Sequence, residues 1–137
     1  MKKFADLKMN GPYKIWKMNA EGKQVKNTGN YVSNDIKFGN YAFGRIIDGV
    51  EYTLYIGRCS NRVETGLLAE INQQIDNGKA DGCDLFFYSI AGSKTEAYEK
   101  ECQNYHDFMP ARNKVHPAKP KDNGHYKCPV AGCDYHN

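Results

Sequence analysis

The sequence lacks a long apolar segment. None of its apolar runs approaches the roughly 20 residues that a membrane-spanning helix needs. Residues 1–6, MKKFAD, also lack the apolar core of a secretory signal peptide. Because both features are missing, we expect a cytoplasmic protein without a membrane partner. Hydrophobic residues make up 40% of the chain and charged residues 26%, a balance that is typical of a folded domain and argues against disorder throughout.

A disulfide framework is not expected in this chain. The chain has five cysteines, an odd number, so at least one of them cannot form a disulfide within the chain. In a reducing cytoplasm, cysteines serve more often as thiols or metal ligands. At 137 residues and 15.5 kDa, the chain is long enough for one domain with a modest core and a small appended module. The cysteines are Cys59, Cys83, Cys102, Cys128 and Cys133.

Acidic residues are scarce at the two ends of the chain. Residues 1–30 hold seven lysines against two acids, whereas residues 64–108 hold nine acids against three lysines. The stretch after Met109 is basic again. Basic ends around an acidic middle fit a polyanionic partner, and we expect nucleic acid, in the first instance DNA. Lysines that are simply solvated at the surface are the alternative explanation.

Two runs of β-branched and aromatic residues predict a β-hairpin. The runs, at residues 41–47 and 50–56, are separated by Asp48-Gly49, a dipeptide that readily adopts the positive φ angles of a tight turn. This hairpin is the clearest element of the sequence.

Two helices and a further strand are predicted after the hairpin. Residues 63–75 carry leucine and isoleucine at the spacing of one helical face. Residues 84–90 form an aromatic run with the length of a buried strand. Residues 94–108 are predicted to form a second helix, because Ser93 and Glu96 match a capping box at the start of this segment.

The predicted fold class is α+β, with a small, mostly antiparallel three-stranded sheet in the order strand, strand, helix, strand, helix. Residues 1–37 form a basic extension that we expect to add β-structure packed on the sheet. Residues 38–114 form the core. Residues 115–137 form a tail with almost no apolar side chains, so something other than a hydrophobic core must order it.

Four residues predict a zinc site that orders this tail. Cys128 and Cys133 are separated by four residues around a glycine, which suits two thiolates on one tetrahedral ion. Cys102 and His106 are four residues apart, so both project from one face of the second helix. Together they would attach the tail to that helix. The rival candidates for the fourth ligand are His116, His125 and His136, of which His136, three residues after Cys133, is the strongest.

The same core resembles the GIY-YIG nuclease superfamily over residues 38–114. Gly39-Asn40-Tyr41 stands where the first signature, Gly-Ile-Tyr, would stand, and Tyr55-Ile56-Gly57 matches the second signature. Glu101 and Asn113, twelve residues apart, are placed like the family's metal-binding glutamate and closing asparagine. The zinc site is also similar to that of a small branch of the superfamily, with a cysteine and a histidine one turn apart on the second helix and paired cysteines in the tail.

The resemblance implies an endonuclease that hydrolyses DNA phosphodiester bonds with one divalent ion, Mg²⁺ or Mn²⁺. Glu101 would hold the ion, which would neutralise charge on the phosphate. Tyr41 or Tyr55 would position or deprotonate the attacking water, and Asn113 would complete the site. The structural zinc would be separate from this catalytic ion.

The sequence departs from the family at the arginine that grips the phosphate. The family places it eight or nine residues after the second signature, where this chain has Thr65 and Gly66. Arg58, beside the signature, and Arg62 are the candidates to replace it. Arg62 would share a helical face with these positions if the first helix already began there. The departure favours an alternative function, a catalytically weak or inactive zinc-stabilised nucleic-acid-binding module. The acidic middle of the chain leaves open an interaction domain without a nucleic-acid role.

Overall fold

A computed structural model describes residues 2–60, 66–122 and 124–133 of the chain. Arg62 and His136, both candidates from the sequence, lie outside the described residues. Within them the chain forms six strands, two α-helices and two short 3-10 turns at Phe4–Leu7 and Thr28–Asn30. The strands are β1 (Asn10–Lys14), β2 (Trp16–Met18), β3 (Gln24–Lys26), β4 (Gly39–Ile47), β5 (Val50–Cys59) and β6 (Leu85–Ile90), and the helices are α1 (Leu67–Asp76) and α2 (Lys94–Phe108).

The predicted hairpin is present as β4 and β5. Asp48 and Gly49 adopt φ angles of 52° and 78°, as a tight turn between twisted strands requires. The two strands pair antiparallel from the turn to their far ends. In this register Tyr41 lies opposite Gly57, and Phe43 lies opposite Tyr55.

The predicted α+β class with a mostly antiparallel sheet is confirmed. Four strands form this sheet in the order β1-β6-β4-β5, and each neighbouring pair is antiparallel. The fourth strand comes from the N-terminal extension, because β1 pairs with β6, with Tyr13 opposite Phe86. Strands β2 and β3 form a separate two-stranded ribbon. Neither α-helix in the described part of the chain is both long enough and apolar enough to span a membrane.

The two faces of the sheet carry separate cores, one under each helix. The core on the α1 face contains buried side chains of the helix and of two strands: Leu67, Ile71, Ile75, Tyr41, Phe43 and Phe86. The core on the α2 face contains these side chains of the sheet and the helix: Ala42, Ile56, Leu85, Phe87, Tyr105 and Phe108. Since side chains alternate along a strand, Tyr41 and Tyr55 face α1.

The first helix begins later than the sequence predicted. Gly66 has extended backbone, with φ of −101° and ψ of −170°, so the first residue of α1 is Leu67 rather than residue 63. Position 66, which was expected to share a helical face with Arg62, therefore precedes the helix. The helix ends at Asp76, and Gly78 follows with a φ of 88°, a left-handed conformation that is common after a helix.

The second helix has the predicted bounds. The Ser93 hydroxyl accepts a hydrogen bond from the Glu96 amide at 3.2 Å, so the serine caps the helix. The Glu96 carboxylate accepts a hydrogen bond from the Gly92 amide at 2.6 Å. In a capping box it would accept one from the Ser93 amide instead. Met109, with a φ of 42°, ends the helix.

The segment after α2 runs along the outer edge of β5. The Arg112 amide donates to the Leu54 carbonyl at 3.0 Å. The Asn113 side chain bonds to both main-chain groups of Ile56, at 2.9 Å and 2.8 Å. The chain then returns to α2, where Cys128 packs with the buried Tyr98.

Candidate metal centre and active-site cleft

Four side chains converge where the tail meets α2. The ligand atoms of His106, His116, Cys128 and Cys133 all lie within 4.8 Å of one another. Two imidazoles and two thiols form one of the common tetrahedral ligand sets of structural zinc. The cluster could therefore bind a metal such as zinc.

The polar contacts within this cluster fit a metal ligand set. Among the described residues, the buried Nε2 atom of His106 has no hydrogen-bond partner, which is unusual for a buried polar atom. The Cys133 Sγ atom lies 3.5 Å from Nε2 of His116. The Nδ1 atom of His116 lies 3.0 Å from the Pro117 carbonyl. A proton held on Nδ1 by that carbonyl leaves Nε2 as the ligand atom, the usual arrangement of a metal-bound histidine.

Three separate parts of the chain form the cluster. Helix α2 contributes His106 in its last turn. The segment beside β5 contributes His116. The two thiols flank a turn in which the Cys133 amide donates to the Val130 carbonyl at 3.2 Å, and Gly132 has a φ of 84°. A metal bound here would join the tail to α2 and to the edge of the sheet.

The observed cluster differs from the predicted zinc ligand set at one residue. His106, Cys128 and Cys133 belong to the cluster, but Cys102 does not, and His116 takes its place. Cys102 is buried on α2 beside Cys128, and burial raises the pKa of its thiol to about 12. The four-residue spacing correctly placed both side chains on the helix, but it could not show which one faces His116. The rival candidate His125 is exposed and lies outside the cluster.

A second concave site lies at the outer edge of β5. It has a volume of about 310 Å³. We call it the β5-edge cleft. It is lined by an acid, a tyrosine, an asparagine, three cationic side chains and the segment that carries His116: Glu101, Tyr55, Asn113, Lys79, Arg112, Lys114, Val115, His116, Pro117 and Ala118.

Glu101 reaches the cleft from α2 and forms an ion pair with Arg58. Burial raises the pKa of the Glu101 carboxyl, and the Arg58 charge acts in the opposite direction. Arg58 also donates to Ser60 Oγ at 2.8 Å and to the Ala118 carbonyl at 2.6 Å, and its guanidinium lies 5.1 Å from the ring centre of Tyr98. Arg58 is therefore occupied by internal contacts that hold the cleft wall to the helix.

The two signature tyrosines have different surroundings. Tyr41 is fully buried, and its hydroxyl donates to Glu70 Oε2 at 2.8 Å. Burial raises its pKa well above the usual value, and the Glu70 charge adds to this shift. Tyr55 lines the cleft, with its ring centre 6.3 Å from that of Tyr41. The pKa of Tyr55 is raised to about 12, chiefly by burial, and the negative charges of Glu101 and Glu70 add to this shift.

Gly57 makes room for the Tyr41 ring. Tyr41 lies opposite Gly57 in the sheet, and a methyl group at Gly57 would overlap the hydroxyl end of the tyrosine. A side chain here would displace Tyr41 from Glu70. For steric reasons, this fold therefore favours glycine over any residue with a side chain at position 57.

Glu70 is a site residue that the sequence reading missed. It lies on α1 between the buried Leu67 and Ile71, and its carboxylate accepts a hydrogen bond from Tyr41, so it faces the sheet. An acid within the apolar stripe of a predicted helix was the available signal. The three cations that line the cleft, Lys79, Arg112 and Lys114, were also not predicted as a group, because they come together only through the path of the chain after α2.

The predicted catalytic residues are brought together in part. Tyr55, Glu101 and Asn113 line one cleft, Arg58 contacts Glu101, and Tyr41 is buried behind Tyr55. No family model matches the chain, and neither a curated protein nor a solved structure matches it.

Proposed function

We propose that the protein is a GIY-YIG-type endonuclease that hydrolyses a DNA phosphodiester bond in the β5-edge cleft with one divalent ion. The observation that carries this proposal is that Tyr55 and Glu101, which stand in two separate signatures of the resemblance, line the same cleft. They come from different elements, β5 and α2, so their meeting depends on the fold and not on their distance in the sequence.

The cations of the cleft suit a phosphate group. Arg112 is held in place because its guanidinium donates to the Lys79 carbonyl at 2.8 Å. Lys79 and Lys114 also line the cleft. Three positive charges around a small concave surface would attract the nucleic-acid backbone, a term that weakens as salt rises.

Glu101 fits a divalent-ion ligand. Mg²⁺ in proteins is commonly held by one or two carboxylates together with water and phosphate oxygens. Glu101 lines the cleft, and its raised pKa reflects burial that a nearby cation would offset. When bound there, the ion would stabilise charge on the phosphate and on the leaving oxygen. Mn²⁺ has similar ligand preferences and is the second candidate.

Tyr55 would orient the attacking water rather than deprotonate it. A phenol with a pKa of about 12 is protonated at neutral pH, so it can donate or accept a hydrogen bond but is a poor base. The Lys79 Nζ atom lies 5.6 Å from the Tyr55 ring centre. Tyr41 is buried and cannot contact the substrate directly.

We also propose that the metal cluster is a structural zinc site with His106, His116, Cys128 and Cys133 as ligands. All four ligand positions would be filled by protein, as is typical of zinc sites that stabilise a fold. His116 also lines the cleft, so the zinc would fix one wall of the active site. Catalysis would use a different ion at Glu101.

The test is nicking of a supercoiled plasmid with Mg²⁺. We expect wild-type activity to need the ion, and Glu101→Gln to lose about 100-fold or more, the scale of lost electrostatic stabilisation of a transition state. Glutamine keeps an acceptor for Arg58, so the fold should survive, which thermal unfolding would verify. Glu99→Gln removes a carboxylate from the same helix outside the cleft and is the matched control. Equal cleavage by wild type and Glu101→Gln would contradict the proposed chemistry.

The second candidate function is a nucleic-acid-binding module without hydrolysis. The ion pair between Arg58 and Glu101 favours it, because each of these groups neutralises the other inside the protein. Salt-sensitive DNA binding with no cleavage under Mg²⁺ or Mn²⁺ would support this alternative. Cleavage abolished by Glu101→Gln would exclude it.

A further inference from the structure

Glu70 and Tyr41 form a buried hydrogen bond behind the cleft, and neither residue has a role in the chemistry proposed above. The Tyr41 hydroxyl donates to Glu70 Oε2 at 2.8 Å, and the Gln74 amide donates to the same oxygen at 3.3 Å. The tyrosine is fully buried, so this carboxylate satisfies a hydroxyl that has no access to water. A buried hydroxyl without a partner destabilises the folded state, so the contact has a strong preference for one geometry.

The Tyr41 ring in turn supports Tyr55. Its ring centre lies 6.3 Å from that of Tyr55, and Phe43 stacks on Tyr55 with ring centres 6.1 Å apart and an angle of 17°. The position of the Tyr55 ring therefore depends on where the Tyr41 ring is held.

Without Glu70, the Tyr41 proton would need another acceptor. Tyr55 is the neighbouring phenol, with its ring centre 6.3 Å from that of Tyr41. If Tyr41 donated to it, one lone pair of the Tyr55 oxygen would be occupied from inside the protein. That lone pair would then not be available to a water molecule in the cleft.

We propose that Glu70 is a positioning residue that acts through Tyr41: it holds the Tyr41 proton so that the Tyr55 oxygen remains available in the cleft. The role of Tyr55 toward water rests on the proposed nuclease function. The contact with Glu70 and its effect on Tyr55 do not, so they are tested with and without substrate.

The kinetic test is a double-mutant cycle on plasmid nicking. We expect Glu70→Ala to lower kcat by about 10- to 100-fold, the scale of one hydrogen bond to a charged group, with KM little changed. Tyr41→Phe has no hydroxyl proton to give to Tyr55, so it should lower kcat much less, and the double variant should be about as fast as Tyr41→Phe. Glu70→Gln, whose amide oxygen can accept from Tyr41, should restore most of the rate. A double variant as slow as Glu70→Ala, or slower, would overturn the proposal.

The second test needs no catalysis. In protein labelled with ¹³C at the tyrosine ring carbon that carries the hydroxyl, the Tyr55 signal is assigned from its loss in Tyr55→Phe. We expect this signal to shift in Glu70→Ala and to shift much less in Glu70→Gln. Asp76→Asn removes a carboxylate from the last turn of the same helix and should leave the signal in place. An unchanged Tyr55 signal in Glu70→Ala would overturn the proposal, whether or not the wild-type protein cleaves DNA. If the signal shifts in Glu70→Ala but the wild-type protein does not cleave DNA, the result would count against the nuclease function alone.

Discussion

Asn113 holds both main-chain groups of Ile56. Its side-chain oxygen accepts from the Ile56 amide at 2.9 Å, and its nitrogen donates to the Ile56 carbonyl at 2.8 Å. A strand at the edge of a sheet otherwise presents these groups to water or to another chain. The side chain thus replaces one residue of a neighbouring strand and fixes the segment after α2 against the cleft.

Asn113→Asp is therefore expected to destabilise the protein. The aspartate keeps the acceptor but loses the donor, and its charge faces the Ile56 carbonyl. We expect a loss of about 1–3 kcal/mol in the free energy of unfolding, measured by urea denaturation. Asn34→Asp, at an exposed position, is the control. A variant at position 113 as stable as this control would show that the two bonds contribute little.

Single substitutions can distinguish the residues of the metal cluster from the nearby Cys102 thiol. We expect about one equivalent of zinc per chain in protein purified without added metal, measured by elemental analysis. His116→Ala and Cys133→Ser should lose it, whereas Cys102→Ser and His125→Ala should retain it, because these two side chains lie outside the cluster. Zinc lost from Cys102→Ser but retained by His116→Ala would restore the ligand set predicted from the sequence.

Gly57→Ala is expected to disturb the tyrosine pair. The added methyl group would overlap the Tyr41 hydroxyl, and overpacking of this kind typically costs about 1–3 kcal/mol. Thermal unfolding measures the loss. Gly29→Ala is the matched control, because a methyl group there meets only Leu68 at an ordinary distance of 3.8 Å. Equal melting temperatures for the two variants would contradict the close approach of Tyr41 to β5.

The buried Tyr41 hydroxyl predicts a dependence of stability on alkaline pH. Tyrosine in an unfolded chain ionises near a pKa of about 10, whereas burial first, and Glu70 second, raise the pKa of Tyr41 in the folded protein. Above about pH 10 the folded state binds more protons than the unfolded state, so stability falls as the pH rises. We expect this fall, measured by urea denaturation between pH 9 and 11, to be shallower in Tyr41→Phe. Tyr52→Phe removes a hydroxyl from an exposed ring and is the control; a wild-type slope in Tyr41→Phe would contradict the burial.

The cleft cations predict how DNA binding responds to salt. Each phosphate contact contributes about 0.9 to the slope of log affinity against log salt for duplex DNA. We expect Lys114→Ala to lower the magnitude of this slope by about one unit, measured by fluorescence anisotropy on a labelled duplex. Lys17→Ala removes an exposed lysine from β2, away from the cleft, and should change the slope less. A larger effect at Lys17 would place the binding surface on the N-terminal extension.

Local signals in the sequence were sufficient for several elements. Asp48-Gly49 marked the hairpin because few other pairs adopt two positive φ angles easily. Ser93 marked the start of α2 because a hydroxyl there satisfies a free amide. The start of α1 was wrong, because the apolar spacing continues through Gly66 while its backbone is extended.

The contacts between distant segments could not be read from the sequence. Cys102 and His116 are equally plausible ligands by residue type, and only the path of the chain along β5 decides between them. Glu70 faces Tyr41 because α1 packs on that face of the sheet, which no local pattern specifies. The Arg58 side chain was predicted beside the signature, but its ion pair with Glu101 depends on how α2 packs on the opposite face.

The double role of His116 has a consequence for the cleft wall. Only Lys114 and Val115 separate it from Asn113, so the chain between these two anchors spans at most about 11 Å. With Asn113 bound to β5 and His116 bound to a metal, little backbone conformational entropy remains in that stretch. Ordering each residue costs about 1–2 kcal/mol, and with a metal bound that cost would fall on folding and metal binding rather than on the docking of a substrate. The wall would then be preorganised, and a metal-free protein would bind its ligand through a looser surface and with a weaker affinity.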